Sequence, residues 1–485
     1  MNCTGYFPTY SYVCSKIPDW EKILNTDQVL FDISTVDKNR ILPSKPAFDG
    51  NYTKDDFVEM PFCDLSRWLT IKSKICDTLF ENVNELQAAI ASYCPSIKSL
   101  KCLAAFFIAY PEEKVNFFGS LLPKMQKILK NSPKILTEAP CLLKTGMNKS
   151  IWITQEQCAT ALVLSFFCCW PESSIRWSQS KNATYNMMNF DHILQYPASY
   201  NDQIFPRLQC FLHYFKRVTN EMPVGVISFK RVCASEFPDL KDKSKKWHDV
   251  CFVPDGLIED KGRNNVQVDF ADEFIGGLTL RWDTLQEEIR FLISPELTVA
   301  QLFFEKMSDS EAIIITGAER FSRYSGYSKS FRFRGNFVDT QIRDCYRRKC
   351  TQILAIDAVN YRYGGHKRSQ FDEESFQRDI LKAFIGFEGC EPATIATGKW
   401  GCGAFGGNVQ FKFAIQMIAA ALASRPLQFF SFDADCSYEL NPLSKQLEGI
   451  SDMLKTLTIE QAYDVLLQFE ADKSTFFDHL ENCIS

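Results

Sequence analysis

Val266-Gln267-Val268-Asp269-Phe270, then Ala271-Asp272-Glu273-Phe274-Ile275, Gly276-Gly277 and, after a short interval, Gln286-Glu287-Glu288-Ile289-Arg290-Phe291 is the stretch from which the fold is read. The first run is β-branched and alternating, which predicts a strand. The last opens on three polar residues and continues apolar, so Gln286, Glu287 and Glu288 fall in a first helical turn, where free backbone N–H groups and the dipole favour negative charge. Helix-start chemistry alone accounts for two acids there. An Asp at a strand end, a glycine pair that lets backbone approach closely and a Glu pair nearby also lay out carboxylates as glycoside hydrolysis needs them, with one group protonating the leaving oxygen.

Further along, runs at Val224 to Phe229, Ala312 to Thr316, Ile353 to Asp357, Ala393 to Thr397 and Leu427 to Phe432 alternate with helical stretches such as Glu374 to Phe384 and Val409 to Ala423. Strands interleaved with helices predict an α/β unit whose ligand site lies at strand ends. Thr397-Gly398-Lys399-Trp400-Gly401-Cys402-Gly403-Ala404-Phe405-Gly406-Gly407 joins one strand to one helix and contains GxGxxG at Gly401, Gly403 and Gly406. In that setting backbone N–H groups can cradle a diphosphate. A plain glycine turn and a dinucleotide-binding dehydrogenase are the alternatives, and Asp433 supplies the acid that the dehydrogenase reading requires, although such fingerprints normally open a βαβ unit. Tyr327, in a Ser, Arg and Tyr-rich loop, and Phe432, at a strand end, are aromatic faces on which a base can stack.

Toward the N-terminus, Trp68 to Phe80, Val83 to Ser92, Leu121 to Leu129 and Gln155 to Phe167 carry apolar residues at three and four spacing, a helical domain. Thr154 with Gln157 forms a capping-box pattern, and Ser132-Pro133 and Ala139-Pro140 punctuate the helices. The region after Trp170, through Asn189 to Pro206, reads as a long connection. The expected division is 1–59 as a segment without signal, 60–205 as a helical accessory domain and 206–485 as the α/β domain.

Composition narrows the function classes. The 485 residues are 46% hydrophobic and 23% charged, as folded globular chains are. A net charge of -5 offers no global field for duplex DNA. No secretory signal leads the chain, the longest apolar runs are short of a membrane span, and 19 cysteines lie without framework spacing, so an intracellular protein is expected, cytoplasmic with the nucleus also open, with no membrane partner. Five histidines stand apart from one another and from any CxxC pair, which leaves no zinc signature. The charge run Lys241 to Lys246 reads as a solvated loop.

The motifs Val268-Asp269-Phe270, Gly276-Gly277 with Gln286 to Phe291, and Thr397-Gly398 with Trp400 to Gly407 resemble those of the poly(ADP-ribose) glycohydrolases, in the same order and over most of the chain from about Met60. The resemblance implies a helical accessory domain on a macrodomain, a three-layer α/β/α unit that binds ADP-ribose. It implies Glu288 as the general acid, Glu287 as a ligand of ribose hydroxyls, Asp269 as a member of the catalytic group and Gln286 as a support for the ribose. Ile258 and Glu259 match the segment that contacts adenine, Tyr327 and Phe432 the aromatics that flank it, and Trp400, Gly401, Cys402, Gly403, Ala404 and Phe405 the diphosphate loop, with Phe405 against the terminal ribose. Neither a cofactor nor a metal is implied, and the partner is poly(ADP-ribose), free or on modified proteins. The sequence departs from the family pattern at Leu278, where a third glycine is usual, and at Arg281-Trp282-Asp283, which is bulkier than usual. Asp272 and Lys399 each stand where the family has Asn. If position 278 needs positive φ, Leu resists it at a cost of about 1–2 kcal/mol, and the chain becomes a reader of ADP-ribose polymer with weak or no catalysis.

Overall fold

The computed structural model describes residues 56–171, 184–195, 201–281, 283–362, 369–433 and 442–484. Expectations for the first 55 residues and for Trp282 lie outside the described residues. An eight-stranded mixed sheet organises the rest, in the order β1-β2-β5-β8-β4-β9-β10-β3. Its strands are β1 (Lys149–Thr154), β2 (Val226–Cys233), β3 (Val250–Val253), β4 (Val266–Ala271), β5 (Glu311–Thr316), β8 (Gln352–Asp357), β9 (Ile395–Gly398) and β10 (Leu427–Phe430). A separate hairpin pairs β6 (Ser322–Ser325) with β7 (Arg332–Asn336). From β8 through β4, β9 and β10 to β3 the pairing is parallel, and from β1 to β8 it is antiparallel.

The period of two along each strand sorts the core into layers. Ile313 and Ile315 of β5 and Ile353 and Ala355 of β8 point into a cluster with the N-terminal helices, among them Val83–Ala91, Leu122–Ile135, Gln155–Phe166 and Asn201–Asn220. Ala312, Ile314, Leu354 and Ile356 point the other way, into a cluster with helices Glu373–Gly389, Val409–Leu422, Leu443–Leu454 and Ile459–Leu467. The result is the α/β/α sandwich with a helical N-terminal region that the sequence motifs imply. The side chain of Thr154 accepts from Gln157 N at 3.1 Å and the Gln157 side chain accepts from Thr154 N at 2.9 Å, the capping box in full.

Some elements differ from expectation. Lys149–Thr154, inside the stretch expected to be helical, is edge strand β1, because its partner β2 offers a free antiparallel side. Helix Leu122–Ile135 runs through Pro133, and helix Asn201–Asn220 runs through Pro206 and across the division at 205/206. Amphipathic burial along both outweighs the one backbone hydrogen bond that each proline forfeits. Short β3, and β6 with β7, are further strands that no sequence run announced.

One buried charge pair joins the antiparallel half of the sheet. Arg231 Nη1 of β2 donates to Glu311 Oε2 at the start of β5 at 2.5 Å, both side chains being within a hundredth of full burial. Removing one partner strands the other charge in the interior, at a cost of about 3–5 kcal/mol. Arg231→Met is therefore expected to lower unfolding free energy by that amount in a denaturant titration, and a loss under about 1 kcal/mol would contradict the reading.

Candidate active site

β4 pairs with β8 along its whole length, but with β9 only at Val266 and Gln267. Beyond Gln267 the two parallel strands part, and the β4 edge would be left with unmet backbone groups. Gln286, the first residue of helix Gln286–Ile293, meets them: its Oε1 accepts from Phe270 N at 2.8 Å and its Nε2 donates to Val268 O at 3.1 Å. Its amide is thus spent on latching the helix to the strand.

That latch sets the next two residues over the loop between strand and helix. Glu287 Oε2 accepts from Asp272 N at 2.9 Å and its Oε1 from Gly276 N at 2.6 Å. Glu288 Oε1 accepts from Leu278 N at 3.0 Å and its Oε2 from Leu285 N at 2.9 Å. The last of these is the ordinary return bond of a helix N-terminus; the other three tie the loop. Gly276 and Gly277 have φ of +81° and +46°, and a Cβ on Gly277 would stand 2.5 Å from Glu288 Oε1 and 2.7 Å from Glu287 Oε2. Only glycine lets the backbone pass so close to both carboxylates.

The loop carbonyls are taken by residues to which the sequence reading gave no role. Arg207, buried on helix Asn201–Asn220, donates to Arg281 O at 2.8 Å, to Leu278 O at 2.9 Å and to Thr279 O. Asn186 Nδ2 donates to Gly277 O at 2.8 Å. A charged residue set among the apolar neighbours Pro206 and Leu208 was the available signal for Arg207. Leu278 is not among the residues of positive φ, so the expected strain at that position does not arise. The turn is completed by the two glycines before it.

Asp269 stands one strand-repeat before Ala271, on the face of β4 toward the helical layer, and is buried with no hydrogen bond to either carboxylate oxygen among the described residues. Burial raises its pKa to about 8, with Arg290 opposing and Glu288 adding to the rise. Burial likewise pushes Glu287 well up, reinforced by Asp269, Glu288 and Asp272. Burial raises Glu288 too, against the backbone N–H of Leu278, which favours the ionised form. Asp272, whose Oδ1 accepts from Phe274 N at 2.9 Å, rises to about 6 through burial. All four carboxyls are thus shifted upward, Asp269 and Asp272 well above the ordinary value near 4.

The remaining expected residues surround the same carboxyl edge of the sheet. Tyr327 is half-exposed, and its hydroxyl is pushed up to about 12 by burial and by Glu288 and Asp283; Ser328 N, from the next residue, donates to Thr284 O at 2.9 Å, which holds this turn at the start of helix Gln286–Ile293. Ile258 packs with Val253, Ala396 and Phe430, and Phe432 joins that group. Phe432 has φ +51°, an outlier for a bulky residue of the kind that collects at functional sites. Lys399 Nζ lies 6.0 Å from its ring centre. Glu259 accepts from the Tyr324 hydroxyl. In the second loop, Gly403, Ala404 and Phe405 keep N–H groups that make no hydrogen bond among the described residues, whereas Cys402, Gly406 and Gly407 use theirs within the loop. The Cys402 thiol, pushed to about 12 by burial, is neutral. The Trp400 side chain is turned inward, wholly buried, with its indole N–H on Ile356 O at 3.0 Å and Lys412 Nζ 4.5 Å from the ring centre; it forms the loop's floor. Asp433, the acid of the dehydrogenase alternative, accepts from Ser444 N at 3.2 Å, at the start of helix Leu443–Leu454.

Comparison with known proteins gives two family matches: poly(ADP-ribose) glycohydrolase, macro domain fold, over residues 237–438, and poly(ADP-ribose) glycohydrolase, helical domain, over residues 109–231. Probable poly(ADP-ribose) glycohydrolase 2 of Arabidopsis thaliana is 30% identical over 431 residues, covering 75% of this chain and 80% of that protein. Poly(ADP-ribose) glycohydrolase 1 of Caenorhabditis elegans is 35% identical over 329 residues, covering 64% of this chain and 39% of that protein. Among solved structures, the poly(ADP-ribose) glycohydrolase of Thermomonospora curvata aligns with a TM-score of 0.27 and 15% identity, over 46% of this chain and 79% of that one.

Two outcomes follow from the geometry. Gly277→Ala is expected to destabilise by about 1–3 kcal/mol in denaturant, since the added carbon must displace two carboxylates; a neutral substitution would contradict the packing. For Asp269, a folded pKa near 8 against an ordinary 3.8 means that the folded state holds the extra proton, so stability falls as pH rises from about 4 to about 8. Asp269→Asn is expected to flatten that slope in thermal unfolding at pH 5 and pH 8, and an unchanged slope would contradict it.

Proposed function

The chain belongs to the poly(ADP-ribose) glycohydrolase family, and from that premise we propose that it hydrolyses the ribose–ribose O-glycosidic bonds of poly(ADP-ribose) and releases ADP-ribose, with Glu288 as the acid. The observation that carries the reading is the buried set of Asp269, Glu287 and Glu288 at the end of β4, pressed against a glycine turn and pushed toward the protonated state. Burial shifts Glu288 toward the neutral acid form that a proton donor needs.

In this mechanism Glu288 protonates the leaving ribose oxygen as the glycosidic bond breaks, and the anomeric carbon takes on oxocarbenium character. Water then adds to that carbon while the Glu288 carboxylate takes its proton, returning the acid to its starting state. Each oxygen of Glu287 accepts one N–H and retains a lone pair for a ribose hydroxyl. Asp269, with no hydrogen-bond partner among the described residues, is the group free to take a substrate hydroxyl or the water. The free N–H groups at Gly403, Ala404 and Phe405, with Lys399 beside them, suit a diphosphate. Ile258 and Glu259 suit the adenine end, with Tyr327 and Phe432 as the aromatics that flank it. Gln286, Gly276, Gly277, Arg207 and Asn186 act by positioning. We take 60–205 as the accessory region and 206–485 as the catalytic region, and poly(ADP-ribose) rather than duplex DNA as the partner. No helix among the described residues is long and apolar enough to cross a membrane; a site of action in the cytoplasm or nucleus is part of the proposal.

Release of ADP-ribose from purified polymer tests this. Glu288→Gln is expected to lower kcat by about 10²–10⁴-fold, the range for a general acid, while calorimetry still detects ADP-ribose binding. Turnover within about tenfold of the parent would remove Glu288 from the role.

A further inference from the structure

The chain is acidic overall, yet from Arg320 to Val338 it carries Arg320, Arg323, Lys329, Arg332 and Arg334 and no Asp or Glu. This is the β6–β7 hairpin. Arg320 is buried and paired with Asp260 at 2.5 Å. The other four make no ion pair with any described residue. Arg323, Lys329 and Arg334 are exposed and Arg332 is half-buried.

The pleat gathers the arginines on one side. Tyr324 opposes Phe333 on the inner face, where both pack against the core shared with the helical layer. Arg323 next to Tyr324, and Arg332 and Arg334 on either side of Phe333, therefore lie on the opposite face, with Arg332 across from Ser325 and a bulge between Ser322 and Tyr324. Arg334 Nε donates to Ser325 Oγ at 2.8 Å and Arg332 Nη1 to Phe331 O at 2.8 Å, so both guanidinium groups are held in place with donors to spare.

The hairpin is also a wall of the candidate active site. Its turn carries Tyr327, Ser328 N donates to Thr284 O at 2.9 Å just before helix Gln286–Ile293, and the Tyr324 hydroxyl donates to Glu259. The outer arginines are thus carried on the element that ties to the start of helix Gln286–Ile293 and to Glu259. We infer that this hairpin is a second binding surface for poly(ADP-ribose), taking the diphosphate of a unit beyond the one being cleaved. The inference rests on the glycohydrolase reading for the identity of the polyanion. Single-stranded RNA, the other polyanion that such a surface can attract, has no reason to end at Glu288.

The test uses the full chain carrying Glu288→Gln, so that polymer is bound without turnover, with and without Arg323→Gln, Arg332→Gln and Arg334→Gln together. Anisotropy of end-labelled poly(ADP-ribose) across a salt series is expected to show about tenfold weaker binding at low salt in the triple variant. The dependence of log Kd on log salt should be shallower by about two, at roughly 0.7 per lost phosphate contact. Calorimetric affinity for ADP-ribose itself should stay within about twofold. Arg323→Gln alone, at a side chain that makes no hydrogen bond among the described residues, is expected to weaken polymer binding in the same sense if the triple variant does not fold. Unchanged polymer affinity overturns the inference, as does equal loss of polymer and ADP-ribose affinity, or RNA of equal phosphate number binding as tightly. Turnover by the parent is measured alongside: if it releases ADP-ribose while hairpin changes leave polymer binding intact, this inference alone fails. If it releases none, the glycohydrolase reading fails, and the hairpin's effect on polymer binding is still read independently.

Discussion

Two adjacent carboxylates absorb four backbone N–H groups, those of Asp272, Gly276, Leu278 and Leu285, and the remainder of the site depends on that exchange. A buried loop cannot leave its amides unmet, and a buried glutamate cannot be left without donors. Each requirement satisfies the other. The loop amides turn inward to Glu287 and Glu288, while its carbonyls turn outward to Arg207, on helix Asn201–Asn220, and to Asn186. These two side chains therefore shape the loop from outside it.

Strand geometry explains why the site lies where it does. Once β4 and β9 part after two residue pairs, they diverge toward the carboxyl edge of the sheet, the edge at which the parallel strands β4, β8, β9 and β10 all end. Gln286 closes the exposed edge of β4 as a neighbouring strand would, leaving room beyond it. Beneath the second loop, buried Lys412 and Asp379 pair, and a Cβ on Gly401 would stand 2.7 Å from the Ala358 side chain, so the loop is seated tightly on its floor while Gly403 faces open space.

Much of this was legible in the sequence because it is local. Six of the sheet's strands, the glycine loops and the helix opening at Gln286 follow from alternation, spacing and capping within short windows. What escaped depends on contacts remote in sequence. β1 is a strand because β2 lies beside it, and Arg207 matters because a loop more than seventy residues away needs donors. Leu278 was read as a strain site from a motif comparison, yet the backbone takes its left-handed turn at Gly276 and Gly277 instead. Trp400 and Gln286 were read as ligand contacts, whereas their polar atoms are occupied by Ile356, Val268 and Phe270. Spacing identifies which residues share a loop; only the fold decides which way each one turns.

Burial pushes the carboxyls of this cluster toward the protonated form that an acid working at neutral pH requires. The pH dependence of kcat/KM for ADP-ribose release from poly(ADP-ribose) measures the protonation state of the free enzyme directly. The account requires activity to hold through neutral pH and to fall on the basic side, as the raised carboxyl loses its proton. Activity that climbs steadily with pH, with no basic limb before the protein unfolds, would contradict it.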